Sequence, residues 1–421
     1  MSRGEPLPGR EPTPAGPAPG RGRTFRALRH RNFRLFWSGQ IISQVGTSMQ
    51  LMAQSWLVYE LTDSPFMLGL VSFAALLPVL PVSLLSGVIS DRFPRRPLII
   101  VTESVLMLQA LTMAVLTWSG VIQVWHVIAL SFVYGAAAAL EQPARLAFVV
   151  DTVGKEDLTS AVGLNAAVYN TARIVGPSLA GLLVAWIGEA GCFLLNGLSF
   201  LPVIAALLAI RLAPRPAARE RLRVVGSLMD GFRYVWTTHT IRGVLVIVAV
   251  AGLLTMPYVS LMPVFAKDIL QGDSRSYGFL MAGVGTGAIL GALSAASIGT
   301  GHRGRWLSWA NVLGPLFVLF FCLSKSFPLS LAVVLLAGMA NAVRQTLSNS
   351  LIQINTQEQY HGRVMSIFNL LFTGMSQAGT LLMGGLAEGL GAPVAVGAGA
   401  LASVTLGLLF VWCLPHVRRL H

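Results

Sequence analysis

Charge is what this chain lacks most. Asp, Glu, Lys and Arg together make up 11% of the 421 residues, against 54% hydrophobic ones. A soluble domain carries roughly 25% charged residues, so this composition points to a chain whose solvent is lipid. Acids are scarcer than bases, 17 against 30, which leaves a formal net charge of +13. That excess does not indicate nucleic acid, because the bases lie between apolar runs and no aromatic–basic RNA or DNA motif accompanies them. Cysteine is nearly absent: Cys192, Cys322 and Cys413 sit far apart inside apolar runs. That spacing excludes a disulfide framework and a metal set. There is no nucleophile–base pairing and no phosphate loop, and His126, His239, His302 and His361 fall at segment ends or in loops. No enzyme activity, cofactor or metal is therefore expected. The first 22 or so residues are rich in Pro, Gly and Arg with no apolar core, which fits a disordered tail rather than a signal peptide.

What the chain has is long apolar segments. A transmembrane helix needs about 20 mostly apolar residues, and about twelve candidates meet that length. They start near Phe33, Phe66, Pro97, Val124, Ser160, Ala190, Ile241, Tyr277, Trp306, Pro328, Val364 and Pro393. Mid-span prolines such as Pro143, Pro177 and Pro202 would break soluble helices but are tolerated where neighbours satisfy the freed backbone groups. Alternate connections collect the bases: Arg92, Arg95, Arg96, Lys155, Arg211, Arg215, Arg219, Arg221, Arg223, Arg233, Arg242, Arg303, Arg305 and Arg363. The other connections hold Lys267, Arg275 and Lys325. The positive-inside rule then makes both termini and the central connection cytoplasmic and the number of spans even. Within the central connection, apolar residues at 228, 232, 235 and 236 share a helical face. This predicts an amphipathic helix on the inner leaflet, anchored by Tyr234 and Trp236.

The halves repeat at an offset of 203 residues. Gly135 matches Gly338, Gln142 matches Gln345, Gly176 matches Gly379, Leu179 matches Leu382, and Gly181 matches Gly384. Two six-helix halves related by an axis along the membrane normal would give such an offset.

Polar side chains inside apolar spans usually face a bundle interior or a water-filled cavity. Span one carries Gln40, Ser43, Gln44, Thr47, Gln50 and Gln54, of which 43, 47, 50 and 54 follow helical spacing. Span four carries Glu141, Gln142 and Arg145; span five Asn165, Tyr169, Asn170 and Arg173. Span seven adds Thr255 and Tyr258, and span ten Asn341, Arg344, Gln345 and Ser348. Cavity lining and interhelical hydrogen bonding compete as explanations for each uncharged member. Glu141 and Arg145 stand four apart and can pair along one helix. Arg344 is the repeat counterpart of Glu141, so spans four and ten should bring opposite charges to related positions across a cavity. Glu141 is the first candidate for taking up a proton. Glu103 in span three, close enough to the helix end to reach water, is the second. Arg145, Arg173 and Arg344 are candidates for charge balance or for holding substrate.

The hinge Gly87-Val-Ile-Ser-Asp91-Arg92-Phe-Pro-Arg95-Arg96 resembles the loop two–three signature of the major facilitator superfamily, with Pro94 where a Gly is usual. The resemblance implies a cytoplasmic gate of Gly87, Asp91, Arg92, Arg95 and Arg96, in which the Asp meets the N-terminus of span eleven and holds an outward-facing state. The matching loop Gly301-His-Arg-Gly-Arg305 lacks the acid, so the gate is expected to be one-sided. Gly176-Pro177-x-x-Ala180-Gly181 resembles that superfamily's antiporter motif, which implies export, although Asn165 and Ala172 replace upstream glycines of the motif. The tracts Arg31–Trp37, Trp56–Pro65, Glu141–Arg145 and Leu164–Pro177 resemble the branch that holds the enterobactin exporter and macrolide-efflux proteins.

The expected fold is an all-α polytopic membrane protein of the major facilitator type, with about twelve transmembrane helices in two pseudo-symmetric six-helix bundles. Its expected organisation is a basic tail over 1–24, one bundle over 25–212, a linker with an interfacial helix over 213–240, a second bundle over 241–415 and a tail over 416–421. The expected function is alternating-access export of a small, partly hydrophobic molecule across a bacterial inner membrane by proton antiport. An importer, a lysolipid-type flippase or a non-transporting membrane receptor are the alternatives. The expected partners are a small-molecule substrate, protons and the lipid bilayer, not nucleic acid, and the transporter is expected to be monomeric.

Overall fold

The computed structural model describes residues 25–79, 81–82, 94–154, 156–210, 224–299 and 302–413, with side chains from 230 onward in the helix that begins at 224. The two tails, Gly87, Asp91, Arg92, Lys155, Gly301 and the basic run 211–223 lie outside these residues.

Helices form nearly all of what is described. They are α1 (Arg31–Thr62), α2 (Pro65–Leu76), α3 (Arg95–Trp118), α4 (Val124–Val153), α5 (Leu158–Ala209), α6 (Val224–Thr237), α7 (His239–Leu254), α8 (Ser274–Ser297), α9 (Arg303–Leu323), α10 (Phe327–Asn355), α11 (His361–Leu390) and α12 (Ala392–Cys413). Among the described residues, nine helical stretches are long and apolar enough to span a membrane. One of them, the 52-residue α5, bends at Gly188 (φ 69°, ψ 177°) into two arms that serve as spans five and six. A left-handed backbone angle costs glycine little, so the chain reverses there without a loop. The polar-striped α1 and the short apolar α2 supply the remaining two of twelve spans. Each span begins within three residues of its sequence-predicted start.

Local chemistry sets the turns. Asp63 adopts a left-handed conformation (φ 46°) and ends α1. Ser64 then caps α2, accepting from Met67 N at 3.3 Å with Pro65 at the first helical position. Asp273 caps α8 by accepting from Ser276 N at 3.0 Å.

The repeat reappears as geometry. Gly135 on α4 packs on Ala75 of α2, and its counterpart Gly338 on α10 packs on Val284 of α8. Gly176 on α5 packs on Ser48 and Met49 of α1, and Gly379 on α11 packs on Leu253 of α7. Gly181 meets Gly278 of α8, and Gly384 meets Pro65 and Phe66 at the start of α2. These last two crossings join one half to the other. Three matched pairs therefore occupy three equivalent helix crossings, where a missing Cβ lets backbones approach.

The halves are bonded to each other at the end of the bundle opposite the termini. Tyr59 Oη donates to Asp268 there, and Lys267 Nζ lies 2.6 Å from Asp63 Oδ1. Ser64 Oγ donates to Glu388 Oε2 at 2.8 Å. Among the described residues, the end that carries the termini is braced within the first half instead. Arg95 Nη1 pairs with Asp151 at 2.7 Å. Arg96 donates to the carbonyls of Leu207 and Leu208 at the end of span six, at 2.6 and 2.9 Å, where a cation satisfies otherwise open acceptors.

The α6 helix corrects one expectation. Tyr234 does not stand out as a bilayer anchor: it stacks on Tyr360 (centroids 4.2 Å apart) and accepts from Gln357 N at 3.2 Å. Val235 is buried, while Trp236 and Phe232 are exposed, so α6 docks on the start of α11 with part of its apolar face left open.

Candidate transport site

A cavity of about 130 Å³ opens inside the first half. Its polar lining comes from Gln40, Ser43, Gln44 and Thr47 on α1, Glu103 on α3, Tyr134, Glu141, Gln142 and Arg145 on α4, and Tyr169 on α5; Leu106, Ala138 and Phe200 close it. Gln40, Glu103 and Arg145 each lie eight or nine residues from the terminal-side end of their helices. At 1.5 Å per residue that sets the cavity roughly 12 Å in from that end.

Four of its side chains form one network. Gln40 Nε2 donates to Glu103 Oε1 at 2.9 Å, and Arg145 Nη1 donates to Gln40 Oε1 at 3.2 Å. Arg145 also pairs with Glu141 at 3.5 Å, along the same helix face. Glu103 and Glu141 are 2% and 7% exposed, and Glu103 Oε2 has no hydrogen-bond partner among the described residues. The site thus holds two buried carboxylates and one guanidinium, joined through an amide that both donates and accepts. With both carboxylates ionised it carries one surplus negative charge; with one protonated it is neutral. In a low-dielectric interior that difference is expensive.

The polar stripe of α1 divides in two. Residues 40, 43, 44 and 47 line the cavity. Gln50 and Gln54 do not reach it and are spent on interhelical hydrogen bonds. Gln50 bonds Gln109 at 3.0 Å and accepts from Asn196 Nδ2 at 2.6 Å; Gln54 donates to Ser131 at 3.0 Å. Thr255 is likewise spent on Ser403 at 2.9 Å. The helix period puts the α1 positions on one face, but neighbours close over the face beyond Thr47, which a single helix cannot reveal.

The expected opposition of Glu141 and Arg344 is not present. Arg344 is 3% exposed and bonds the side chain of Asn341, and it does not line the cavity. Asn341 in turn donates to Met256 Sδ at 3.4 Å. Ser348 is fully buried and Gln345 half-buried. Asn165 is half-buried, Asn170 bonds its own helix at Ala166 O, and Arg173 is exposed. Gly176 and Gly181 lie at crossings rather than at the cavity. Glu103, expected to reach water at the helix end, is instead deep in the network. Tyr134 was missed by sequence reasoning, though it precedes Glu141 by seven residues and so shares its face. Sequence reasoning counted Lys267 as a loop charge and did not single out Asp268 or Glu388; their bonds across the halves were not legible.

Comparison with known proteins agrees with this architecture. A family model described as transmembrane secretion effector matches residues 23–419. The multidrug efflux pump Tap of Mycolicibacterium fortuitum is 25% identical over 386 residues, covering 89% of this chain and 93% of that protein. The staphyloferrin A transporter of Staphylococcus aureus is 24% identical, covering 83% and 88%. The enterobactin exporter EntS of Shigella boydii is 26% identical, covering 93% of each. Among solved structures, a bacterial homolog to the human lysosomal transporter Spinster, in an inward-facing and unoccupied conformation, aligns with a TM-score of 0.66 at 13% identity, covering 95% of this chain and 97% of that one. The nucleoside transporter NupG aligns at 0.69 with 12% identity, covering 90% and 98%.

Proposed function

The chain belongs to the transmembrane secretion effector family of the major facilitator superfamily, and from that premise we infer that it exports a small, partly hydrophobic molecule across the bacterial inner membrane by alternating access with proton antiport. The observation that carries the coupling is the Glu103–Gln40–Arg145–Glu141 network around the first-half cavity. Glu141 binds the proton, Arg145 balances the charge, and Glu103, joined to Arg145 through Gln40, is the second carboxylate that can take it. The matched efflux pump and siderophore exporter support the outward direction.

The bases gathered at the terminal end assign that end to the cytoplasm by the positive-inside rule, with both termini cytoplasmic. On this orientation the bonds among Tyr59, Asp63, Ser64, Lys267, Asp268 and Glu388 close the periplasmic side, and the described arrangement is inward-facing. The 87–96 segment acts as the cytoplasmic gate, with Asp91 as its acid, and the Arg95–Asp151 pair braces α3 against α4. The bundles rock as bodies of about 25–212 and 241–415, joined by the 213–240 linker, in a monomer.

Growth of an efflux-deficient bacterial strain expressing the protein tests the export reading across a panel of siderophores and antibiotics. The reading expects raised tolerance or secretion for at least one compound. Increased sensitivity, meaning net uptake, would overturn it.

A further inference from the structure

Arg344 is buried on α10 without an acid. Its guanidinium is held by the side chain of Asn341, one turn earlier, and no carboxylate pairs with it among the described residues. An amide can orient a guanidinium but cannot neutralise it. A buried charge within a bundle is normally paired, or marks a substrate path.

Its surroundings also have donors to spare. Tyr258 of span seven is 1% exposed, and its Oη makes no hydrogen bond among the described residues. Ser348, one turn along the same face of α10, is fully buried with its Oγ equally unbonded. Asn341 ties α10 to span seven through Met256 Sδ, two residues before Tyr258, and Arg173 of the first half lies where α5 crosses α8, its carbonyl against Gly285. The buried Arg344 and the two unbonded hydroxyls therefore lie on spans seven and ten with no acid bonded to any of them among the described residues. Related positions in the repeat are split by charge: Glu141 serves the proton site, and Arg344, its counterpart, stands apart from it.

We propose that Arg344, with Tyr258 and Ser348 as neutral donors and Arg173 approaching from the first half, is the subsite for an oxyanion on the cargo, of carboxylate type. A planar guanidinium matches a carboxylate with two parallel charge-assisted hydrogen bonds. This rests on the export reading and names its substrate class: amphipathic organic acids, an apolar body carrying at least one anionic group. Neutral and cationic compounds of the same size are poorer cargo.

The test uses purified full-length protein in phosphatidylcholine nanodiscs, with 2-naphthoate and its neutral isostere 2-naphthamide as probes. Calorimetry gives both affinities, so binding is read without transport. Wild type should bind naphthoate about tenfold or more tighter than naphthamide, the scale of one charge-assisted contact. Arg344→Gln should erase that preference while naphthamide affinity stays, and Arg344→Lys should keep part of it. Equal binding of the two probes, no binding of naphthoate, or a preference that survives Arg344→Gln would overturn the site. If Arg344→Gln loses naphthamide binding through misfolding, Tyr258→Phe and Arg173→Gln decide. A severalfold loss of preference in either supports the site, and an unchanged preference in both overturns it. An intact naphthoate preference in a protein that exports nothing in the growth assay would sink the export reading and spare the site.

Discussion

The Gly181–Gly278 crossing should control which side of the protein is open. A Cβ added at Gly181 would lie 2.8 Å from Gly278 Cα and 2.9 Å from Ser274 O. Carbon pairs are comfortable at about 3.5–4.0 Å, so Gly181→Ala forces the two halves apart by several tenths of an ångström where they join. Overpacking of this kind costs about 1–3 kcal/mol. On the rocking reading the cost falls on the arrangement described here, because the opposite state parts α5 from α8 at this end. The conformational ratio should therefore shift away from it by about 5- to 150-fold. Spin labels at positions 61 and 271, in a background without the three cysteines, would report the separation of the halves at this end by pulsed EPR. Gly163→Ala and Gly374→Ala are the controls, since a Cβ at either meets nothing within 4 Å. The expectation is a longer distance population in Gly181→Ala and none in the controls. An unchanged distribution in a folded Gly181→Ala protein would refute the reasoning.

The ion pair at the same end should matter less. Lys267 and Asp63 are 2.6 Å apart, but the Asp63 side chain is 73% exposed, and solvent-screened pairs are worth at most about 1 kcal/mol. Asp63→Asn should thus move the same EPR ratio by no more than about fivefold, with the difference shrinking in high salt. At the terminal end, the hydrogen bond from His30, reinforced by Arg26, holds the Asp157 carboxyl below its ordinary range. A carboxylate depressed in the folded state contributes stability above its unfolded pKa of about 3.9. That contribution is lost as pH falls through the lower folded value. Hydrogen-exchange protection over residues 25–30, corrected for the intrinsic pH dependence of amide exchange, should accordingly be flat near neutrality and fall only below about pH 4, and Asp157→Asn should remove the acid-side fall.

Much of the fold is readable from residues because a bilayer restricts backbone structure to a few solutions. Runs of about 20 apolar residues must be helices there, and the starts of all twelve follow. The 203-residue offset was visible because each glycine of a pair answers the same local demand, a backbone crossing. What stays hidden in sequence is which neighbour a face meets. Helical spacing cannot separate Thr47, at the cavity, from Gln50, closed over by Gln109 and Asn196. Likewise the repeat relates Glu141 to Arg344 in register, but register does not bring side chains together, and each found partners on its own helix. Glu103 is central because Gln40 bridges it to Arg145, a contact spanning three helices that no single-helix pattern encodes.

The coupling role of Glu141 is the centre of the account, and proton-driven efflux in proteoliposomes tests it most directly. With a cargo identified by the growth assay, efflux by the wild type should rise with an imposed pH gradient. Glu141→Gln should bind the cargo yet lose that dependence on the gradient. Normal export by Glu141→Gln with an unchanged pH dependence would contradict the account.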